Sequence, residues 1–166
     1  MSHVKLNEEF LKELESEVKA TRKCLERIPA ELFEYKPHER SMKMGYLALI
    51  VAEIPRWISI IIEKLEIDFA TFSHFEPKST SELVDQFDKN MEEVRKSLKN
   101  VKEETLERTF YLKNNGQELA KDSVKNSISS SINHLVHHRG QLTVYMRLNN
   151  IPVPSIYGPS ADDKSF

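Results

Sequence analysis

The chain has 166 residues with 24 Lys and Arg against 26 Asp and Glu, which gives a formal net charge of −2. This near balance provides no electrostatic basis for binding nucleic acid or an anionic membrane surface, so we expect neither partner. The longest apolar stretch is interrupted by Glu53 and Arg56, which argues against a transmembrane span.

The remaining composition favours one cytoplasmic domain. The N-terminal residues lack the apolar core of a signal peptide. Cys24 is the single cysteine, and a chain without internal disulfides fits a reducing compartment. A chain of this length buries enough surface for one core, so we expect a single domain over residues 1–166.

The first two segments with helical periodicity lie in the N-terminal half of the chain. The first begins at Asn7, which is a plausible N-cap because acidic residues follow it, and it ends at Pro29. The second runs from Ser41 to Leu65. It contains Pro55, which removes one backbone hydrogen bond and should bend the helix.

Two further helical segments follow, and together the four predict an all-α fold. The third begins with the capping-box sequence STSE at 79–82, and the fourth starts after Asp122 or Ser123 and reaches about Asn149. No segment alternates long enough to predict a sheet strand, although residues 109–117 (TFYLKNNGQ) could form a small β-like turn. We therefore predict a helical bundle, with the proline-rich tail at 151–163 lying against it as an extended strap.

The fourth helix carries a pair of histidines at metal-ligand spacing. His134 and His138 are four residues apart, so their side chains lie on one face about 6 Å apart along the axis and can bind one metal ion. His137 points to the far side. The small residues Ser127 and Ser131 lie on the paired-histidine side and leave room for a cavity. Alternatively, the two histidines are hydrogen-bonded packing residues at the edge of the core.

Two long sequence segments resemble the DinB family, which includes the YfiT-like proteins. HLVHHRGQLTVYMRLNN at 134–150, followed by IPVPSIYGPSADD, is similar to the C-terminal signature of that family. IPAELFEYKPHERSMKMGYLALIVAEIPRWI at 28–58 resembles its first loop and second helix, so the resemblance covers nearly the whole chain. It implies an up-down-down-up four-helix bundle, commonly a homodimer.

The resemblance also implies a divalent metal, zinc or nickel, bound by three histidines. His134 and His138 match the two ligands from the fourth helix, but the position of the first ligand is Ile50 in LALIVAEIPRW. Because two histidines alone hold a divalent ion poorly, we expect the metal site to be weak or absent. Glu53, one helical turn from Ile50, is the alternative third ligand, since two histidines and a carboxylate form a known metal-binding set.

Other candidate residues follow from their positions in the chain. The loop histidines His74 and His38 are further alternatives to Glu53 as a third ligand. Tyr46 and Trp57 on the second helix and Tyr145 on the fourth are expected to line a pocket, with ordinary core packing as the other interpretation. Arg139 lies in the apolar arc of the fourth helix and therefore requires a carboxylate partner.

Two functions remain open from the sequence, and neither has an assigned catalytic residue. One is an enzyme, a metal-dependent thiol transferase or hydrolase, in which the metal lowers the pKa of a thiol or a water. The other is a homodimeric bundle that binds a small molecule or a partner without catalysis, and Ile50 favours it. The dimer is also expected because a semi-apolar strip of the fourth helix lies outside the core; it consists of Val136, Gly140, Thr143 and Val144.

Overall fold

The computed structural model describes residues 5–165, and helices dominate it. The four predicted helical segments are confirmed. They are α1 (Leu6–Glu26), α2 (Met44–Lys64), α3 (Thr80–Asn100) and α5 (Val124–Leu148). A short helix, α4 (Glu103–Leu106), follows α3, and a 3₁₀ turn at Ala30–Leu32 follows α1.

Two of the predicted helix starts are correct and one is wrong. The Ser79 side chain accepts a hydrogen bond from the Glu82 N–H, and the Ser123 side chain accepts one from the Asn126 N–H, so both serines are N-caps. Asn7 lies inside α1, which begins one residue earlier. Its side-chain amide instead donates to the Leu98 carbonyl at 2.9 Å and ties α1 to the end of α3.

Helix α2 occupies the centre of the fold. It packs extensively against α3 and α5, whereas α1 packs against those same two helices and has little contact with α2. Helix α2 is long and apolar enough to span a membrane by length and composition, but 78% of its most apolar window is buried inside the protein. This burial is typical of the core helix of a globular protein.

The all-α prediction is wrong, because the structure contains a three-stranded sheet. Strands β1 (Glu66–Asp68) and β2 (Thr109–Asn114) are parallel, and β2 pairs with β3 (Gln117–Ser123) in an antiparallel hairpin. Asn115 and Gly116 form the hairpin turn with φ of 54° and 78°, the positive values that a two-residue turn of this kind requires. The sequence does not predict β3, because all residues of this strand are exposed or half-buried and it therefore shows no apolar alternation.

The tail at residues 151–165 has no helix or strand and lies against the bundle, as its proline content predicts. Arg27 of α1 donates to the Pro152 carbonyl at 3.0 Å, and Lys23 pairs with Asp163 at 3.3 Å. Farther along α1, the Tyr157 hydroxyl donates to the Glu17 carboxylate at 3.1 Å. These contacts fasten the tail along α1 on the side where that helix meets α5.

Candidate functional site

The paired histidines of α5 contact each other directly. The Nε2 atoms of His134 and His138 are 2.7 Å apart, and Nδ1 of His138 lies 2.8 Å from the side-chain oxygen of Gln141. An amide oxygen can only accept a hydrogen bond. Nδ1 of His138 therefore carries a proton and donates it to Gln141. Nε2 of His138 then accepts a hydrogen bond from Nε2–H of His134.

Burial favours the neutral form of His134. The pKa of His134 is lowered from its ordinary value, first by desolvation and then by the nearby His138 and His137. His138 is buried, whereas His137 does not join the hydrogen bond between the other two. A neutral imidazole pair can either hydrogen-bond internally or present its nitrogen lone pairs to a metal ion.

The position of the expected third ligand and the alternative ligands have other contacts. Ile50 is only 6% exposed and belongs to the hydrophobic core. Glu53 is fully buried, and its two oxygens accept hydrogen bonds from the loop: one lies 2.6 Å from Nδ1 of His74 and the other 2.9 Å from the Phe75 N–H. His38 lies in an exposed turn, where its Nδ1 accepts from a nearby backbone N–H.

The donor set therefore does not fit the three-histidine metal centre that the sequence resemblance implies. Within residues 5–165, no group of three or more His, Cys, Asp or Glu side chains is placed to hold a metal ion. Two imidazole nitrogens converge, but the position of the third ligand carries a hydrocarbon side chain that cannot coordinate.

A cavity of about 240 Å³ adjoins His134. Most of its wall is apolar and comes from α2, β1, β2 and the loop after β1: Trp57, Ile61, Ile67, Phe72, Phe110 and Leu112. The polar part of the wall comes mainly from the first half of α5, where Ser127, Ser130 and Ser131 precede His134. An apolar enclosure with a few polar groups on one side is the usual character of a small-molecule site.

Trp57 links the cavity to the histidine pair. Its ring centroid lies 5.6 Å from that of His134 and 6.0 Å from that of Phe72, which meets it edge-on. Its indole N–H is buried without a hydrogen-bond partner in the described part of the chain. A bound ligand with an acceptor group is one way to satisfy a buried donor of this kind.

The other two residues expected to line a pocket lie outside the wall of this cavity. Tyr46 is 45% exposed and meets the His74 ring edge-on, with centroids 6.0 Å apart. Tyr145 donates its hydroxyl to the Met42 carbonyl at 3.1 Å and packs edge-on against Tyr35. Both tyrosines thus have contacts within the protein, and a role for them in binding stays a prediction.

The sequence reasoning missed the loop at 69–78, which carries part of the cavity wall. Phe69 and Phe72 of this loop line the cavity. Arg56 of α2 holds the loop by donating to the Ser73 carbonyl at 3.0 Å and by stacking on Phe72, 4.9 Å from the ring centroid. The available signal was the composition of FATFSHF at 69–75, since three phenylalanines in an exposed loop are uncommon.

A helix-rich fold with a small sheet, in which one helix presents two histidines beside an apolar cavity, defines the class of this protein. The sequence profile of the DinB family matches residues 1–165, and the chain belongs to the DinB family. The family resemblance seen in the sequence is therefore confirmed.

One curated protein is similar to this chain in sequence, and two solved structures are similar to it in fold. The chain is 29% identical over 158 residues to the uncharacterized protein YrdA of Bacillus subtilis, a match that covers 93% of this chain and 89% of YrdA. Its fold is similar to the crystal structure of a DinB-like protein from Bacillus cereus, with a TM-score of 0.69, 24% identity and coverage of 90% and 97% of the two chains. A DinB-like protein from Bacillus subtilis, YjoA, gives a TM-score of 0.67 at 21% identity, with coverage of 87% and 95%.

Proposed function

We propose that this DinB-family protein binds a small molecule in the cavity beside His134 and that its metal site is reduced to a histidine pair that holds a metal weakly or not at all. One observation carries the proposal. An apolar cavity adjoins His134, while the position expected to complete a metal centre is the buried Ile50. The site thus offers a binding volume without a full set of ligands for a metal.

The size of the cavity supports a ligand of one or two rings. An engineered protein cavity of about 150 Å³ accepts benzene. At about 240 Å³, the cavity beside His134 is larger than that, yet smaller than most sites for drug-sized molecules. We therefore expect compact ligands with a single aromatic or aliphatic ring system.

Trp57 provides the test, because it is the single tryptophan of the chain and lies in the cavity wall. Titration with 2-phenylethanol should change its fluorescence along a saturable curve. Ser131→Leu, which fills the cavity from α5, should abolish the change, whereas Ser129→Leu on the same helix should retain it because Ser129 does not line the cavity. A linear, unsaturable response that is equal in all three proteins would contradict the proposal.

A second candidate is the metal-dependent thiol transferase or hydrolase, and one observation favours it. The Nε2 atoms of His134 and His138 converge to 2.7 Å. Two nitrogens that bind one tetrahedral zinc at about 2.0–2.1 Å are separated by about 3.3 Å, so a modest movement of the rings would admit a metal. Elemental analysis of protein purified without an affinity tag separates the candidates, since about one metal per chain supports the enzyme.

We further propose a cytoplasmic homodimer in which the four long helices of each subunit run up-down-down-up. The dimer surface is the strip of α5 formed by Val136, Gly140, Thr143 and Val144. Exposed apolar side chains support this dimer surface: Val144 is 57% exposed, and Leu148, one helical turn farther, is 56% exposed. The space around Gly140 is open within the chain, so a second helix could approach its backbone closely.

A further inference from the structure

We infer that the ligand of the cavity beside His134 is an organic ammonium ion with a compact apolar body, whose charged head faces Asp122 and the serines of α5. This inference rests on the proposed function, because it specifies the ligand of the same cavity. It follows from the unequal distribution of hydrogen-bond donors, acceptors and charges around the cavity wall.

The serines on the polar side offer acceptors. The Ser127 hydroxyl donates its proton to the Ser123 carbonyl at 2.9 Å, and the Ser131 hydroxyl donates to the Ser127 carbonyl at 2.8 Å. A hydroxyl has one proton and two lone pairs, so the oxygens of both serines can still accept a hydrogen bond. A ligand group that meets them must therefore be a donor.

Asp122 adds a negative charge to the same side. Its Oδ1 accepts hydrogen bonds from the Ser123 N–H at 2.7 Å and from the Asn126 side-chain amide at 2.9 Å. Among the hydrogen bonds of residues 5–165, none ends on its Oδ2. Asp122 is exposed and lines the cavity, so this oxygen is open to solvent and to a ligand. The hydrogen bonds from Asn126 and Ser123 also lower the pKa of Asp122, so the carboxylate is charged at neutral pH.

The rest of the wall disfavours an anion. Among the cavity-lining residues that the structure describes there is no Lys or Arg. The Trp57 ring can attract a cation, and its unpaired N–H can take an acceptor on the body of the ligand, whereas the Phe72 ring is already stacked by Arg56. An ammonium head suits both the negative charge of Asp122 and the acceptor oxygens of the serines, since it carries positive charge and has only donors.

Three matched probes test the inference in the full-length protein: 2-phenylethylamine, 2-phenylethanol and 3-phenylpropanoate. Trp57 fluorescence at low ionic strength should show the amine binding about tenfold or more tightly than the carboxylate, with the alcohol between them. Equal affinities, or tighter binding of the carboxylate, would overturn the ammonium ligand and leave the proposed function standing. If none of the three binds saturably, the proposed function fails as well.

The variant Asp122→Asn isolates the charge. It retains an oxygen that can accept from Asn126 and Ser123, and circular dichroism verifies that α5 remains folded. The amine should lose about fivefold in affinity while the alcohol is unaffected, and Asp85→Asn at an exposed position of α3 should change neither. An amine affinity that survives Asp122→Asn at every salt concentration would show that Asp122 does not bind the head group.

Discussion

Arg139 and Glu17 form a buried ion pair that joins α5 to α1. The guanidinium Nη2 lies 2.6 Å from Oε2 of Glu17, and Arg139 is 1% exposed. Arg139 also donates to the Thr21 hydroxyl and to the Tyr157 hydroxyl, each at 3.0 Å. The carboxylate partner that the sequence required for Arg139 is therefore Glu17, and the C-terminal tail closes over the pair through Tyr157.

Removing one member of this ion pair should destabilise the folded protein. Arg139→Ala leaves the buried Glu17 carboxylate without its partner, and we expect a loss of about 3–5 kcal/mol in the free energy of unfolding. The double variant Arg139→Met with Glu17→Gln should lose less, because no unpaired charge remains. Urea unfolding of Arg139→Met, Glu17→Gln and the double variant measures the difference. Additive losses would show that the two residues do not interact.

The tail should loosen at acid pH through Asp162. Hydrogen bonds from Arg147 and from the Val153 N–H lower the pKa of this carboxyl. A group with a lowered pKa in the folded protein stabilises it above the ordinary Asp pKa, and that contribution is lost as the pH falls through the folded value. The Val153 amide resonance in an NMR titration should therefore shift only below the ordinary Asp range, and Arg147→Gln should raise its midpoint. An unchanged midpoint in that variant would exclude the Arg147 contribution.

Cys24 should be inert in the folded protein. It is fully buried, and burial raises the pKa of its thiol to about 11. At pH 8 the thiolate is therefore much scarcer than in the unfolded protein, where the thiol has a pKa of about 8.5. This difference alone should lower the reactivity of Cys24 about 200-fold. The rate of reaction with a disulfide reagent measures this, with protein in guanidinium as the control. Equal rates in the two conditions would mean that the thiol is accessible.

The sequence predicts features that depend on local spacing and on single helices. The capping serines Ser79 and Ser123 are recognisable because capping acts over three residues. The inward position of Ile50 follows from helical periodicity, and it is confirmed by burial. The proximity of the His134 and His138 side chains follows from the same spacing.

Features that depend on the path of a loop could not be predicted in this way. The partner of Glu53 is His74, 21 residues farther along, and only the course of the loop after β1 brings them together. The same loop places Phe72 in the cavity wall. Strand β1 has three residues, which is too short for any alternating pattern to identify it.

The proposed dimer gives a simple hydrodynamic expectation. Wild-type protein at micromolar concentration should sediment at about twice the 19.3 kDa of one chain. Val144→Glu places a charge in the proposed interface and should shift the protein towards the monomer. Leu119→Glu is a matched control, because Leu119 is similarly exposed at 54% but lies on β3. Wild-type protein that sediments as a single chain would contradict the dimer.

The last prediction concerns the third metal ligand that the family resemblance implies at the position of Ile50. If Ile50 alone prevents metal binding, Ile50→His should raise the affinity for zinc or nickel by orders of magnitude, because two imidazole nitrogens already converge on α5. Three imidazoles would leave a coordination position open for water or a thiol. Wild-type protein should bind weakly and lose the metal on dialysis. Calorimetric titration measures both affinities.

Two controls make the metal experiment decisive. Adding His138→Ala to Ile50→His should remove the gained affinity, because the new histidine then has one partner instead of two. Ile50→Ala reports the packing role of the position alone and should destabilise the protein by roughly 2–5 kcal/mol without metal binding. If wild-type protein instead binds one metal tightly and Glu53→Gln or His74→Ala releases it, one of these residues completes the site. The proposed weak or absent metal site would then be excluded, and the enzyme would become the preferred function.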